Sequence, residues 1–234
     1  MVSLRTRDSG EQLHTFVSHV SDYVYVHLMK NFTIEETLSA KKAFAFEKIF
    51  TGAECEVRSC RADNGRFADS KWQESCDKIG QGLMFCGVGN HRQNGKIAAK
   101  NKQLTLAART LLLHRITLWP EMISAYFWPF AMKAAAGAHN KLAVDADGNT
   151  PESRLYGVTQ PGTLPVQSFH TLCCPVFVLD HRLHSAGGPS PNGTLLGAVH
   201  IYLGHSPMHA GSVALVFNTL TGRVSPASVS RSFR

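Results

Sequence analysis

The side chains of this 234-residue chain that could do chemistry are its carboxylates, thiols, imidazoles and one cluster of cations. Its twelve histidines are scattered singly from His14 to His209, with no helical His-x-x-x-His pair that would present two imidazoles to a metal. The six cysteines, Cys55, Cys60, Cys76, Cys86, Cys173 and Cys174, include no Cys-x-x-Cys pair, so the thiols are read as free and neither a zinc site nor a disulfide scaffold is expected. Two acids stand in turn signals: Asp22 after Ser21, and Asp63 at the head of Asp63-Asn64-Gly65. The cations are concentrated. From Lys78 to Pro120 there is no Asp or Glu, while Lys78, Arg92, Lys96, Lys100, Lys102, Arg109 and Arg115 match the formal charge of the whole chain, +7. Such local basicity suits a surface that meets phosphates, nucleic acid above all; a solvated face without a ligand is the competing reading.

These residues need elements to position them. The polar segment Met1 to Glu11 holds no apolar run, and the longest apolar stretches are cut by Arg109, His114 and Asp180, so neither a secretion signal nor a membrane span is expected. Thr15-Phe16-Val17 and Tyr23-Val24-Tyr25-Val26 flank Ser21-Asp22 as a β-hairpin. Thr33 and Glu36 form a capping box, and Ile34, Leu38, Ala45 and Ile49 share one face of a helix over 34–50. A strand over 55–61, a helix over 70–78 and a strand over 83–88 follow. Beyond a Gly- and Asn-rich loop at 87–95, Leu104, Ala108 and Leu111 line one side of a long helix, with Lys102 and Arg109 roughly opposite. Trp119-Pro120-Glu121 opens a further helix carrying Phe127, Trp128 and Met132. The segment 143–167 turns to Asp, Gly, Asn, Pro and Thr, which predicts a linker or long loop, and apolar runs at 176–179, 198–203 and 213–217 read as short antiparallel strands.

Several ordered blocks resemble the integrase core of copia-type retrotransposons. They are Phe16-Val17-Ser18-His19 leading into Ser21-Asp22-Tyr23, Ala62-Asp63-Asn64-Gly65-Arg66-Phe67, Phe85-Cys86-Gly87-Val88, Gln93-Asn94-Gly95, Trp119-Pro120-Glu121 and Trp128-Pro129. Cys174-Pro175-Val176-Phe177-Val178-Leu179-Asp180, Tyr202-Leu203-Gly204-His205-Ser206 and Thr221-Gly222 are similar to the small β-barrel that follows that core, and the likeness covers about residues 14 to 227. The resemblance implies an α/β fold: a ribonuclease-H-like mixed sheet flanked by helices over 12–140, a linker over 141–167, and a small all-β barrel-like unit over 168–230.

It also implies polynucleotidyl transfer by three acids that hold two Mg²⁺ ions, each ion clamping an oxygen of the phosphate. Carried onto this sequence, the first acid falls at Ser18, the second at Asp63 and the third at Ala98, three residues beyond Gly95. Two acids are therefore missing. A hydroxyl and a methyl cannot hold Mg²⁺, so Asp63 alone should bind metal weakly or not at all, and Lys96 adds a cation that opposes metal entry. The expectation is a degenerate integrase core that grips DNA nonspecifically through Arg92, Lys96, Lys100 and Lys102 without cutting it. An active Mg²⁺-dependent enzyme and a relic without selected function are the alternatives. Oligomerisation and a nuclear location are implied by the resemblance alone.

Overall fold

The computed structural model describes residues 2–5, 12–29, 31, 33–50, 57–62, 65–87, 95–157, 171–179, 197–206, 209 and 213–232. They fall into two compact units, Met1–Ala108 with Ala135–Leu164, and Arg109–Ala134 with Pro165–Arg234.

In the first unit, strands β1 (Val2–Arg5), β2 (Gln12–Val17) and β3 (Val24–Met29) form an antiparallel meander with β2 in the middle. Leu13, His14, Thr15 and Phe16 are all buried in succession, as a strand covered on both faces requires. The hairpin pairing ends at Val17 and Val24. Between them Asp22 takes a left-handed backbone (φ 61°), and the Ser18 amide donates to the Tyr23 carbonyl at 2.9 Å. Asp is among the few non-glycine residues that tolerate that conformation. The hairpin agrees with the expected one, whereas β1 lies in the segment read only as polar and without an apolar run, because its four residues are too few to show a period.

Helix α1 (Ile34–Phe50) begins as its capping box directs, the Glu36 amide donating to Thr33 Oγ1 at 3.3 Å. Strands β4 (Ser59–Ala62) and β5 (Gly82–Phe85) run parallel, so they need a crossover, and helix α2 (Ser70–Asp77) supplies it. Asp69 caps α2 by accepting from the Lys71 amide at 2.9 Å. The core of this unit is aromatic: Phe16 stacks on Phe44 at 5.2 Å, and Phe67 meets the edge of Trp72 at 5.1 Å. Each such ring contributes roughly 1.5–3 kcal/mol through burial.

Helices α3 (Gly95–Leu118) and α4 (Trp128–Leu142) each cross from one unit to the other in sequence. On α3, Leu104 and Ala108 are buried while Lys102 and Arg109 are exposed, as the periodicity predicts. Helix α4 starts later than expected from Trp119-Pro120-Glu121, after a short 3₁₀ turn at Ala125–Phe127. The reason is Pro129. It cannot donate a backbone hydrogen bond and fits only in a first helical turn, which fixes the start beside it.

The expected linker over 141–167 contains structure. Helix α5 (Pro151–Tyr156) is closed at its start by a reciprocal box between Thr150 and Ser153, and its Leu155 is buried in the aromatic core. The expected core over 12–140 is also divided, since 109–134 belongs to the second unit. Aromatic burial explains it: Trp119 packs on that unit's core and Phe127 meets the edge of Phe217 at 5.0 Å.

In that second unit, strands β6 (Pro175–Leu179), β7 (Gly197–His205), β8 (Val213–Asn218) and β9 (Arg223–Ser232) pair in sequence order, and β9 returns to pair with β6. The β7–β8 register slips between Tyr202 and Gly204, where the backbone turns to φ 132°, a conformation that suits glycine. Cys174, Val176, Tyr202, Ala214 and Val216 fill the interior. Burial pushes the Cys173 thiol up to about 12, so it is an inert packing group and not a nucleophile. Cys60, Cys76, Cys86, Cys173 and Cys174 are buried thiols that form no disulfide. No helix among the described residues is long and apolar enough to cross a membrane.

Candidate functional site

Three of the residues nominated from sequence, Ser18, Lys96 and Lys100, meet where the β2–β3 turn touches the first turns of α3. Gly95 starts the helix, so Lys96 and Lys100 stand four residues apart on one face. No acid is available along α3 to receive them. They turn instead to Asp22. Lys100 Nζ reaches Asp22 Oδ2 at 2.7 Å and Lys96 Nζ reaches Oδ1 at 3.3 Å. From α4, His139 Nε2 comes within 3.3 Å of the same carboxylate and 3.1 Å of the Asp22 carbonyl.

Ser18 lies in the turn directly after β2 and not on the strand itself, because the ladder ends at Val17. Its hydroxyl accepts from the Ser21 amide at 3.1 Å. Its carbonyl and that of His19 accept from Lys96 Nζ, at 3.2 and 3.0 Å. Ala98 is exposed on the first turn of α3, with Ile97 beside it buried. Lys102 is exposed on the same helix. Asp63 and Arg92 lie outside the described residues.

The electrostatics of this corner are those of a cation-rich surface. Burial would by itself raise the Asp22 pKa, but hydrogen bonds and charge from Lys100 and Lys96 override it and hold the carboxyl below its ordinary value. His19 is pushed down by burial and then by the charges of Lys96 and Arg61. A Mg²⁺ site demands the reverse, a surplus of oxygen ligands with negative charge. Here the Ser18 and His19 carbonyls already accept from an ammonium, and the Asp22 carboxylate is neutralised by two more contacts of the same kind. The described residues at this corner therefore do not fit the metal, and no group of three or more His, Cys, Asp or Glu among the described residues is arranged to hold one.

The sequence reading took Asp22 as a turn former, which its backbone supports, and missed its second role as the anion that fastens α3 and α4 to the hairpin. Its signal was available: a lone acid in a turn, and two lysines in helical register on a helix without acids. Asn140 was missed as well. Buried on α4, it accepts from the Val24 amide at 2.8 Å and donates to the Val24 carbonyl at 2.7 Å, acting as a short extra strand against β3.

No protein-family model and no curated protein sequence matches the chain. Among solved structures, a chain of the simian T-cell lymphotropic virus intasome, solved in complex with the PP2A regulatory subunit B56 gamma, superposes with a TM-score of 0.50 and 16% identity, covering 100% of this chain and 75% of that one. The HTLV-2 integrase catalytic core domain in complex with magnesium gives 0.48 at 20% identity in its trimeric form and 0.47 at 21% in its dimeric form. Each of those covers 66% of this chain and 90% of the other. The chain has an integrase-like α/β fold, an assignment that rests on the intasome match.

Proposed function

We propose that this chain is a degenerate copia-type integrase core that binds DNA through phosphate contacts and does not cut it. The observation that carries the reading is Lys96: its ammonium sits against the Ser18 and His19 carbonyls, at a corner where catalysis would call for carboxylates and Mg²⁺. Lys102 is exposed and available to a phosphate, and Arg92, ten positions earlier in the sequence, is proposed to join it. Lys96 and Lys100 already answer to Asp22, so their share of the DNA contact is smaller than their charge suggests. Assembly with further copies of the chain and a nuclear location belong to the same proposal and follow from the family likeness alone.

Duplex DNA should bind the full chain with an affinity that falls steeply as salt rises. Lys102→Ala should flatten the log–log salt slope by about 0.9, the contribution of one neutralised phosphate. The pair Lys96→Ala with Lys100→Ala should change it less per residue removed. A slope unaltered by Lys102→Ala removes this helix from the interface. On the catalytic side, supercoiled DNA incubated with the chain and Mg²⁺ or Mn²⁺ should remain unnicked. Metal-dependent nicking that disappears in Asp63→Ala overturns the inactive reading, because it would mean that Asp63 works with carboxylates other than the two that are missing.

A further inference from the structure

Away from the basic helix, the first unit carries a solvent-open cavity of about 700 Å³ lined by α1, α2 and the strands beside them. That volume lies within the range of sites for small organic ligands. Its walls divide by chemistry. Phe16, Leu38, Phe44 and Ile79 supply an apolar bed, while Lys41, Lys42, Lys71 and Lys78 stand around it against a single carboxylate among the described lining residues, Glu74. Lys71 is already committed, its Nζ lying 2.6 Å from Glu35.

Lys41 sets the site apart. It is only 8% exposed, and its ammonium is held by neutral groups: Ser75 Oγ at 3.3 Å, Cys76 Sγ at 3.2 Å and the face of Trp72, 4.9 Å from the ring centroid. A thiol is a poor acceptor and a ring face a partial one. No carboxylate among the described residues pairs with Lys41; a buried charge left in that state is costly, and an incoming anion would relieve it. One ammonium with one hydroxyl beside it suits the two oxygens of a carboxylate better than the three of a phosphate.

We propose that this cavity binds an amphipathic monocarboxylate, its aromatic or alkyl body against Phe16, Phe44 and Ile79 and its carboxylate on Lys41. The site is independent of the DNA-binding reading. Titration calorimetry of the full chain with naphthalene-2-carboxylate should show saturable binding of one molecule per chain. Lys41→Met, which keeps the unbranched apolar stem and removes the ammonium, should weaken it at least about tenfold, the worth of a charge-assisted hydrogen bond. Naphthalene-2-carboxamide should bind no better to the unmodified chain than the carboxylate binds to Lys41→Met. Ala45→Trp, placed at an exposed part of the lining, should block binding with little effect on thermal stability and serves as the test if Lys41→Met fails to fold. Equal affinity of the carboxylate and the carboxamide, or an affinity indifferent to both substitutions, overturns the site. Tighter binding of 2-naphthyl phosphate overturns the assignment to carboxylates.

Discussion

Replacing Asn140 by Ala is expected to lower the unfolding free energy by about 2–4 kcal/mol, since each buried polar group left without a partner costs about 1–3 kcal/mol. Both backbone groups of Val24 depend on that one side chain, through contacts of 2.8 and 2.7 Å, and Val24 itself is buried where water does not replace them. Asn140→Asp separates the two halves of the effect. Protonated, it keeps an acceptor for the Val24 amide and an O–H donor for the carbonyl and should stay close to the wild type; ionised, it loses the donor and buries a charge, so its stability should drop towards or below that of Asn140→Ala as the pH rises. Urea unfolding followed by tryptophan fluorescence reads the difference. An Asn140→Ala variant within about 0.5 kcal/mol of wild type, the range of ordinary surface substitutions, would show that the hairpin does not rely on α4.

Asp22→Asn should cost about 1–3 kcal/mol, between the small worth of an exposed ion pair and the larger cost of breaking a buried one. Lys100 is the reason for the upper part of that range: its side chain is 11% exposed, and without Asp22 its ammonium would face His139 with no carboxylate among the described residues. The effect has a pH signature. The carboxyl of Asp22 is held below its ordinary value of 3.8 in the folded state, so the unfolded chain takes up a proton first as the pH falls. Stability from this group is complete well above pH 3.8 and is lost as the pH drops through the lower folded value. The gap between wild type and Asp22→Asn should therefore stay constant above about pH 5 and close under acid. A gap independent of pH would assign the loss to packing.

How much of this was legible depended on whether a signal was local. The helix over 34–50 announced itself through its capping box and apolar face, and it appears with those bounds. The hairpin was legible because Ser21-Asp22 sits between two β-rich runs. Strand β9 was missed because Arg223–Ser232 is rich in Ser and Arg and its first four residues, 223–226, are exposed, so its pairing to β6 and β8 comes from the ladder and not from hydrophobic alternation. The short helix α5 lies in the expected linker because Pro151 reads as a breaker in composition, whereas behind Thr150 it is a helix opener.

The corner around Asp22 divides in the same way. Charge counting found the lysines of α3, but could not tell a cation that faces solvent from one that faces an acid on another element. Lys102 and Lys100 are two residues apart on the same helix, and one is exposed while the other is nearly covered. Only the contact with a turn some 78 positions away separates them. The lysine of the cavity, Lys41, was invisible for a similar reason: it lies in an ordinary Lys41-Lys42 pair whose first member the packing of α2 covers.

The dependence of β3 on Asn140 also sets an order in time. Val24 and its partner are separated by 116 positions, and a ribosome adding about 5–20 residues per second takes about 6–23 s to cover that distance. For that interval the newly made hairpin carries an unpaired amide and carbonyl at the start of its second strand. The meander must then emerge before α4 and lock only after it, a long exposure for any chaperone that recognises an open strand.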